Sequence, residues 1–294
     1  MDWLVERVAS PEEFLRRTDS FRDAHPMATN IIGSVALSIA DETRSYSEYF
    51  WWIVLEKNEV VGIAIRTAPH RLLVSPMPKY AARQLAKAVS DNDPDFWGVT
   101  GPEGVATELM ESWCSYTGRE SSDYPIGMRE TTYVLGQHTP LADVVGAARK
   151  ANEGDIALLL KWLPAFAEEV GMFRTGVPSE AELLARLRST PFVLWEIDGR
   201  PVAMSGHAPV VVGPSGRIGR IGPVYTELGE RGHGYGAAVT SSMIEHLRSI
   251  NCSTVMLYAD SDYEKSNRVY QGLGFRPVGA IVELGREPQA DTQL

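Results

Sequence analysis

The sequence predicts an α/β fold of mixed, mostly antiparallel sheets flanked by helices, arranged as two tandem domains. Three observations predict it. At 294 residues the chain exceeds one ordinary core, so two domains of roughly 150 residues are expected. Tight-turned strand pairs alternate with amphipathic helices in both halves, which suits sheets with helices on their faces. The halves also share one order: helix, helix, hairpin, strand, helix, strand, helix, strand. That order reads as a domain-scale duplication.

The elements of the first half follow from local chemistry. Ser10 and Pro11 open a helix to about Arg17, because Ser caps well and Pro suits the first turn. Ile31, Val35 and Ile39 recur every four residues and predict a helix over about 27–43. Residues 50–55 and 60–65 are apolar strands around the turn Lys57-Asn58-Glu59, hence a hairpin. Strands are expected at 71–74, 96–99 and 128–135, and helices at 78–89 and 104–116. The segment 136–146 holds Thr139-Pro140 and two glycines and is the expected domain boundary.

In the second half, residues 147–151 read as a short strand. Asp155 caps a helix through Leu158, Leu159, Trp162 and Phe166, and Pro178-Ser179 opens another over 180–187. Strands over 191–197 and 200–212 flank the turn Asp198-Gly199, a strong hairpin signal. Gly213–Gly216 is a turn, and residues 218–226 are a strand. Residues 254–260 are apolar on alternate and intervening positions, so that strand is expected to be buried on both faces. A short helix over 265–273 and a final strand to about Leu284 complete the half. The polar tail from Glu287 is expected to be disordered.

Composition narrows the function classes. Hydrophobic residues make up 44% and charged residues 22%, as in ordinary globular proteins. The formal charge of −10 argues against nucleic-acid and anionic-membrane surfaces and is mildly compatible with a cationic amine. Cys114 and Cys252 are far apart, so no disulfide framework follows, and a reducing cytoplasm is expected. The N-terminus carries no signal-peptide pattern, and no apolar run is long enough to span a bilayer. No His/Asp/Glu cluster has metal-ligand spacing, and no Gly-x-Ser-x-Gly elbow occurs.

One stretch carries the chemistry: Gly222 to Gly236, followed by an amphipathic helix to Arg248. A strand ends in a loop with glycines at 232, 234 and 236, and a helix N-terminus follows. Unobstructed backbone amides and the positive dipole end form a cradle for phosphate or pyrophosphate. The strand order does not suit a Rossmann unit, and no Gly-Lys-Ser/Thr follows, so a P-loop is excluded. A mere glycine turn is the bland alternative, but three alternating glycines exceed what one turn needs. The first half has Val74-Ser-Pro-Met-Pro-Lys79 at the matching place, with no glycine. It therefore reads as a copy without the cradle.

Val224-Tyr225-Thr226, Arg231-Gly-His-Gly-Tyr-Gly236 and Asn267-x-x-Tyr270-x-x-Leu-Gly-Phe275 resemble the signature motifs of the GNAT superfamily of acyl-CoA N-acyltransferases. The resemblance covers about residues 147–285. It is similar to two-domain members in which only the C-terminal domain is competent, as in the glycine N-acyltransferase-like group. It implies residues 1–137 as a degenerate GNAT-like domain and residues 138–294 as the acyl-CoA-binding catalytic domain. The cosubstrate would be acetyl-CoA or another short acyl-CoA. The acceptor would be the primary amine of a small molecule, attacking directly in a ternary complex.

The resemblance also implies roles. The strand at Val224, Tyr225 and Thr226 would splay from its neighbour at Met256–Tyr258 and pair with pantetheine amides. Pro223 cannot donate to a ladder, which suits a splayed strand. The amides of Gly232, His233, Gly234, Tyr235, Gly236 and Ala237 would hold the pyrophosphate, with His233 otherwise an exposed spacer. Arg231 would contact phosphate or brace the loop. Tyr270 would protonate the leaving thiolate, and Asn267 would bond the pantetheine or the turn backbone. For the base, His207 on a strand facing the expected cleft competes with Glu227 and a water relay, and a structural strand histidine is the bland reading. The opposing class is a non-catalytic CoA-binding regulatory module. A tRNA-dependent transferase on a related tandem fold is disfavoured by the charge. A homodimer is compatible with the sequence.

Overall fold

The computed structural model describes residues 3–141, 144–171, 178–213 and 216–286. The chain forms two compact units. Unit 1 takes the chain up to Ala40, Ser45–Glu130 and the chain from Ala280 onward. Unit 2 takes Asp41–Arg44 and Thr131–Gly279. The tail expected to be disordered from Glu287 lies outside the described residues.

Unit 1 begins with β1 (Trp3–Val8), α1 (Pro11–Arg17), α2 (Asp19–Ala24) and α3 (Asn30–Ala40). The Ser10 hydroxyl accepts from the Glu13 amide at 3.2 Å, so the expected cap starts α1. Sequence reasoning missed β1 and α2. β1 is an edge strand whose partner is the distant β2 (Tyr49–Glu56), in register from Trp3↔Glu56 to Val8↔Trp51. α3 is shorter than the 27–43 expected from its periodicity.

β2 and β3 (Glu59–Thr67) form the expected hairpin. Lys57 and Asn58 both have positive φ, 49° and 69°, which matches the twist of a two-residue hairpin turn. Next come β4 (Leu72–Val74), α4 (Lys79–Asn92), β5 (Gly98–Gly101) and α5 (Glu103–Thr117). β4 and β5 pair in parallel at Leu72↔Val99 and Leu73↔Thr100, with α4 as the crossover. The strand expected at 96–99 starts two residues later, at Gly98. β6 (Ile126–Leu135) starts in unit 1 and ends in unit 2.

Unit 2 continues with β7 (Ala147–Lys150), α6 (Ile156–Glu169), α7 (Glu180–Ser189) and β8 (Val193–Ile197). Then follow β9 (Arg200–His207), β10 (Val211–Gly213), β11 (Gly216–Thr226), α8 (Tyr235–Ser249), β12 (Cys252–Asp260) and α9 (Glu264–Gly272). The strand expected over 200–212 is two strands. Part of the expected 213–216 turn lies outside the described residues. β13 (Phe275–Gly285) starts in unit 2, and its later half pairs antiparallel with β5 in unit 1, from Val282↔Gly101 to Gly285↔Gly98.

The strand order of unit 2 is β6-β12-β11-β9-β8-β7. Helices cover both faces. On one, α6 and α7 bury Leu159, Trp162 and Leu183 against Phe192, Met204 and Tyr225. On the other, α8 buries Val239, Met243 and Leu247 against Ile221, Val255 and Leu257. Removal of apolar surface from water, worth about 25 cal/mol per Å², drives both layers. Arg149 on β7 forks onto Asp155 at 2.6 and 2.8 Å and reaches Glu196 on β8 at 2.7 Å, which ties the start of α6 to the sheet.

Among the described residues, unit 1 holds one fully buried ion pair. The Arg66 guanidinium bonds Asp93 and also donates to the carbonyls of His70 at 3.1 Å and Asp95 at 2.7 Å. Burial outweighs Arg66 and raises the Asp93 carboxyl to about pH 6. A carboxyl pKa raised on folding means that its contribution to stability is lost as pH rises from about 4 to 6. Breaking such a pair leaves a charge in the core. Asp93→Ala is therefore expected to destabilise unit 1 by about 3–5 kcal/mol in denaturant titration; a loss under 1 kcal/mol would show that the pair is dispensable.

Candidate active site

The site is set by where two parallel strands part. The ladder between β11 and β12 runs from Arg217↔Cys252 to Ile221↔Leu257 and ends there. Yet β11 continues to Thr226 and β12 to Asp260. On its other edge β11 stays paired with β9, but the register shifts between Ile221 and Val224. Pro223 lies in that bulge, where its missing N–H costs no ladder bond. The stretch from Val224 to Thr226 therefore has no partner strand along its β12-side edge. A polar backbone edge away from water seeks a partner, and an extended amide-bearing molecule supplies one.

The glycine loop follows directly. α8 begins at Tyr235 with Gly234 at its N-cap, φ +84°, a left-handed conformation that side chains disfavour. Gly236 sits under the strand end, and a Cβ there would lie 3.2 Å from the Thr226 hydroxyl. The first amides of α8, at Tyr235, Gly236 and Ala237, have no intrahelical acceptor, and the helix dipole adds positive potential. His233 is exposed and stacks on Tyr235 at 5.4 Å between centroids. Arg231 braces the loop: it forks onto Glu169 of α6 at 2.8 and 2.5 Å and donates to the Thr226 carbonyl at 3.1 Å. Glu169 was not foreseen, since nothing in the sequence links the end of α6 to the loop.

Within the strand, Val224 packs toward α8, and Tyr225 is buried beside Trp162 at 5.8 Å. The Tyr225 side chain thus anchors the strand, which leaves its backbone to face a ligand.

α9 supplies two polar groups. Asn267 donates through Nδ2 to the carbonyls of Asp260 at 2.8 Å and Tyr263 at 3.1 Å, fixing the turn from β12. Its Oδ1 is buried without a partner among the described residues. An orphaned buried acceptor is costly unless a donor arrives. Tyr270 packs at 6.4 Å from the Tyr133 ring and 6.1 Å from Phe275. Burial pushes its phenol up to about 12, so it holds its proton firmly at neutral pH.

His207 faces away from the expected cleft. Strand alternation puts it with Ala203 and Ser205 on the α8 face, whereas Met204 and Gly206 face α6 and α7. It is 1% exposed, and its ring lies 5.5 Å from that of His246 on α8. Nδ1 bonds the Ala208 carbonyl at 2.8 Å, and burial lowers its pKa to about 4. The neutral ring is a weak proton acceptor. Glu227 is engaged with Lys161 at 3.0 Å. No cluster of three or more His, Cys, Asp or Glu suited to a metal is present among the described residues. No helix among them is long and apolar enough to cross a membrane.

Parted parallel strands, a helix start with free amides and a buried carbonyl acceptor lie together in unit 2. The residues present fit coenzyme A in these three respects. Residues 158–275, which lie within unit 2, match the Acetyltransferase (GNAT) family. The chain resembles a tandem GNAT protein from the clavulanic acid biosynthesis pathway, 13% identical, over 98% of this chain and 100% of that one, with a TM-score of 0.58. It also resembles a GNAT-family acetyltransferase from Colwellia psychrerythraea, 12% identical, over 96% and 99% of the chains, with a TM-score of 0.58. At these identities the likeness shows the fold. A curated relative, the mycothiol acetyltransferase of Parafrankia sp. (strain EAN1pec), is 42% identical over 76 residues, 25% of this chain. The matched segment spans about a quarter of that relative's length, 24%.

A side chain at the left-handed Gly234 would distort the loop by roughly 1–2 kcal/mol per strained residue and obstruct its amides. Gly234→Val is expected to weaken CoA binding at least tenfold by isothermal titration (~1.4 kcal/mol). An unchanged Kd would remove the loop from the binding site.

Proposed function

We propose that unit 2 binds acetyl-CoA, or another short acyl-CoA, and transfers its acyl group to the primary amine of a small molecule. The observation that carries this reading is the parting of β11 from β12 at Ile221/Leu257, directly before the glycine loop. Supporting it are the unpartnered Asn267 Oδ1 and the firmly protonated Tyr270. The names of the curated relatives also support acetyl transfer.

In this reading the edge of Val224–Thr226 pairs with pantetheine amides, and Asn267 Oδ1 accepts one of their N–H groups. The amides from Gly232 to Ala237 bind the pyrophosphate, while Arg231 holds the loop in shape. The thioester supplies an activated carbonyl. The amine nitrogen attacks that carbon, the C–N bond forms and the C–S bond breaks. Tyr270 gives its phenolic proton to the departing sulfur and regains one from solvent. The proton lost by the amine passes to water, since His207 faces α8 and Glu227 is paired with a lysine. Unit 1 is a cradle-free copy. Its β4–α4 crossover contains Pro76 and Pro78, which carry no N–H, and Met77 fills the space over Gly62.

The second reading, a CoA-binding module without catalysis, makes the opposite prediction for Tyr270. For an enzyme, Tyr270→Phe should lower kcat by about 10²- to 10⁴-fold, the usual span for a general acid, with the CoA Kd within twofold of wild type. Because the phenol pKa stands near 12, kcat of the wild type should show no fall from Tyr270 ionisation up to pH 10. A CoA-release assay over a panel of amines reads both. An unchanged kcat in Tyr270→Phe removes the general-acid role. CoA binding with no turnover of any amine favours the binding module.

A further inference from the structure

Two short stretches ahead of β7, both in unit 2, hold the helices that frame the site. Residues 136–139 lie along the turn that follows α9. The Gly136 amide donates to the Gly274 carbonyl at 3.0 Å, and the Thr139 amide to the Leu273 carbonyl at 3.1 Å. Both acceptors stand just past the end of α9, where carbonyls lack a partner inside the helix. Gly274 has φ +98°, and a Cβ there would lie 1.9 Å from the Gln137 carbonyl oxygen. So close an approach of two backbones admits no side chain. Tyr270 stands one helical turn before this grip.

Between the two backbone bonds, His138 reaches the other helix. Its Nε2 and the Ser241 hydroxyl of α8 share a hydrogen bond at 3.0 Å. Ser241 stands two residues from both Val239 and Met243, which pack on the sheet, so it points to the other side of α8. It is only 9% exposed there, and the half-buried His138 is bonded to it. The second stretch meets the start of the same helix. Val144 Cγ2 stands 3.5 Å from the place of a Cβ on Gly234, and the Val145 carbonyl accepts from Trp195 Nε1 on β8 at 3.0 Å.

The helix that carries Tyr270 is thus tied through His138 to the helix that begins at the glycine loop. A proton donor and a phosphate cradle serve one ligand only if their spacing is held, and a misplacement of about 1 Å can cost on the order of 10²-fold in rate. We propose that His138 is a positioning residue: with Gly136 and Thr139 it clasps α9 to α8 and sets the spacing of Tyr270 from the glycine loop. Its effect on the reaction rests on the acyl-transfer reading of unit 2; its effect on the two helices rests on the geometry alone.

The test compares the full chain as wild type, His138→Ala, His138→Gln, Ser241→Ala and the double variant His138→Ala/Ser241→Ala, all well below their melting temperatures. Ser242→Ala is the control, since that neighbouring hydroxyl bonds the Ala238 carbonyl within α8 at 3.1 Å. Amide hydrogen exchange without ligand comes first. His138→Ala and Ser241→Ala should each speed exchange in α9 by about 2- to 10-fold, the usual worth of a neutral hydrogen bond. The double variant should go no further than either single one, His138→Gln should restore part of the protection, and Ser242→Ala should match wild type. With acetyl-CoA and an amine that is turned over, His138→Ala should lower kcat and raise the KM for acetyl-CoA, each by a similar factor. On a Tyr270→Phe background the effect on kcat should vanish, because the clasp acts through Tyr270. Unchanged α9 exchange in both single variants, additive effects in the double variant, or a kcat loss that persists in full on the Tyr270→Phe background overturns the proposal. Should His138→Ala not fold, Ser241→Ala carries the same comparisons. If CoA binds no form of the chain, the acyl-CoA reading falls, and the exchange data still decide the clasp.

Discussion

The parting of β11 from β12 is the constraint on which the site of unit 2 depends. A parallel pair gains one ladder bond at each step, and here the ladder stops at Ile221↔Leu257 while both strands continue. The bulge between Ile221 and Val224 turns β11 without breaking its hold on β9. Tyr225 packs on Trp162 and keeps the freed strand rigid. The protein thus carries the cost of an unpaired edge, which is recovered when an amide-bearing ligand completes it. The same bend delivers the chain into the glycine loop and the start of α8.

Charge is distributed to match. Arg231, just before the glycine loop, is paired with Glu169, so in the acyl-CoA reading backbone amides and the helix dipole would meet the phosphates. The buried histidines His207 and His246 sit behind the sheet, each with its pKa lowered mainly by burial, and add no fixed charge.

Unit 1 shows what the same framework does without the cradle. β4, α4 and β5 repeat the parallel crossover of β11, α8 and β12. In unit 1, Ser75 is tied to the Ile63 amide at 2.9 Å, and Pro78 occupies the N-cap of α4. The loop has become packing, and the buried Arg66–Asp93 pair fastens the end of β3 to the C-terminus of α4. The parallel crossover occurs in both units, which accounts for part of their shared order of elements.

Much of this was legible in the residues themselves. Period-two and period-3.6 patterns set the hairpins and helices, Ser10 and Ser179 marked helix starts, and Lys57-Asn58 and Asp198-Gly199 marked turns, because these signals act over a few bonds. The Gly232–Gly236 spacing with Asn267 and Tyr270 was enough to expect a phosphate cradle and a proton donor. Strand β1 was not legible, since its partner lies more than forty residues away. The side of the sheet taken by His207 was not legible either, because alternation counts from a register that only pairing with β11 and packing on His246 establish. Local chemistry determined which elements form and where the glycine loop falls. Tertiary packing decided which charges are neutralised and which face each strand residue presents.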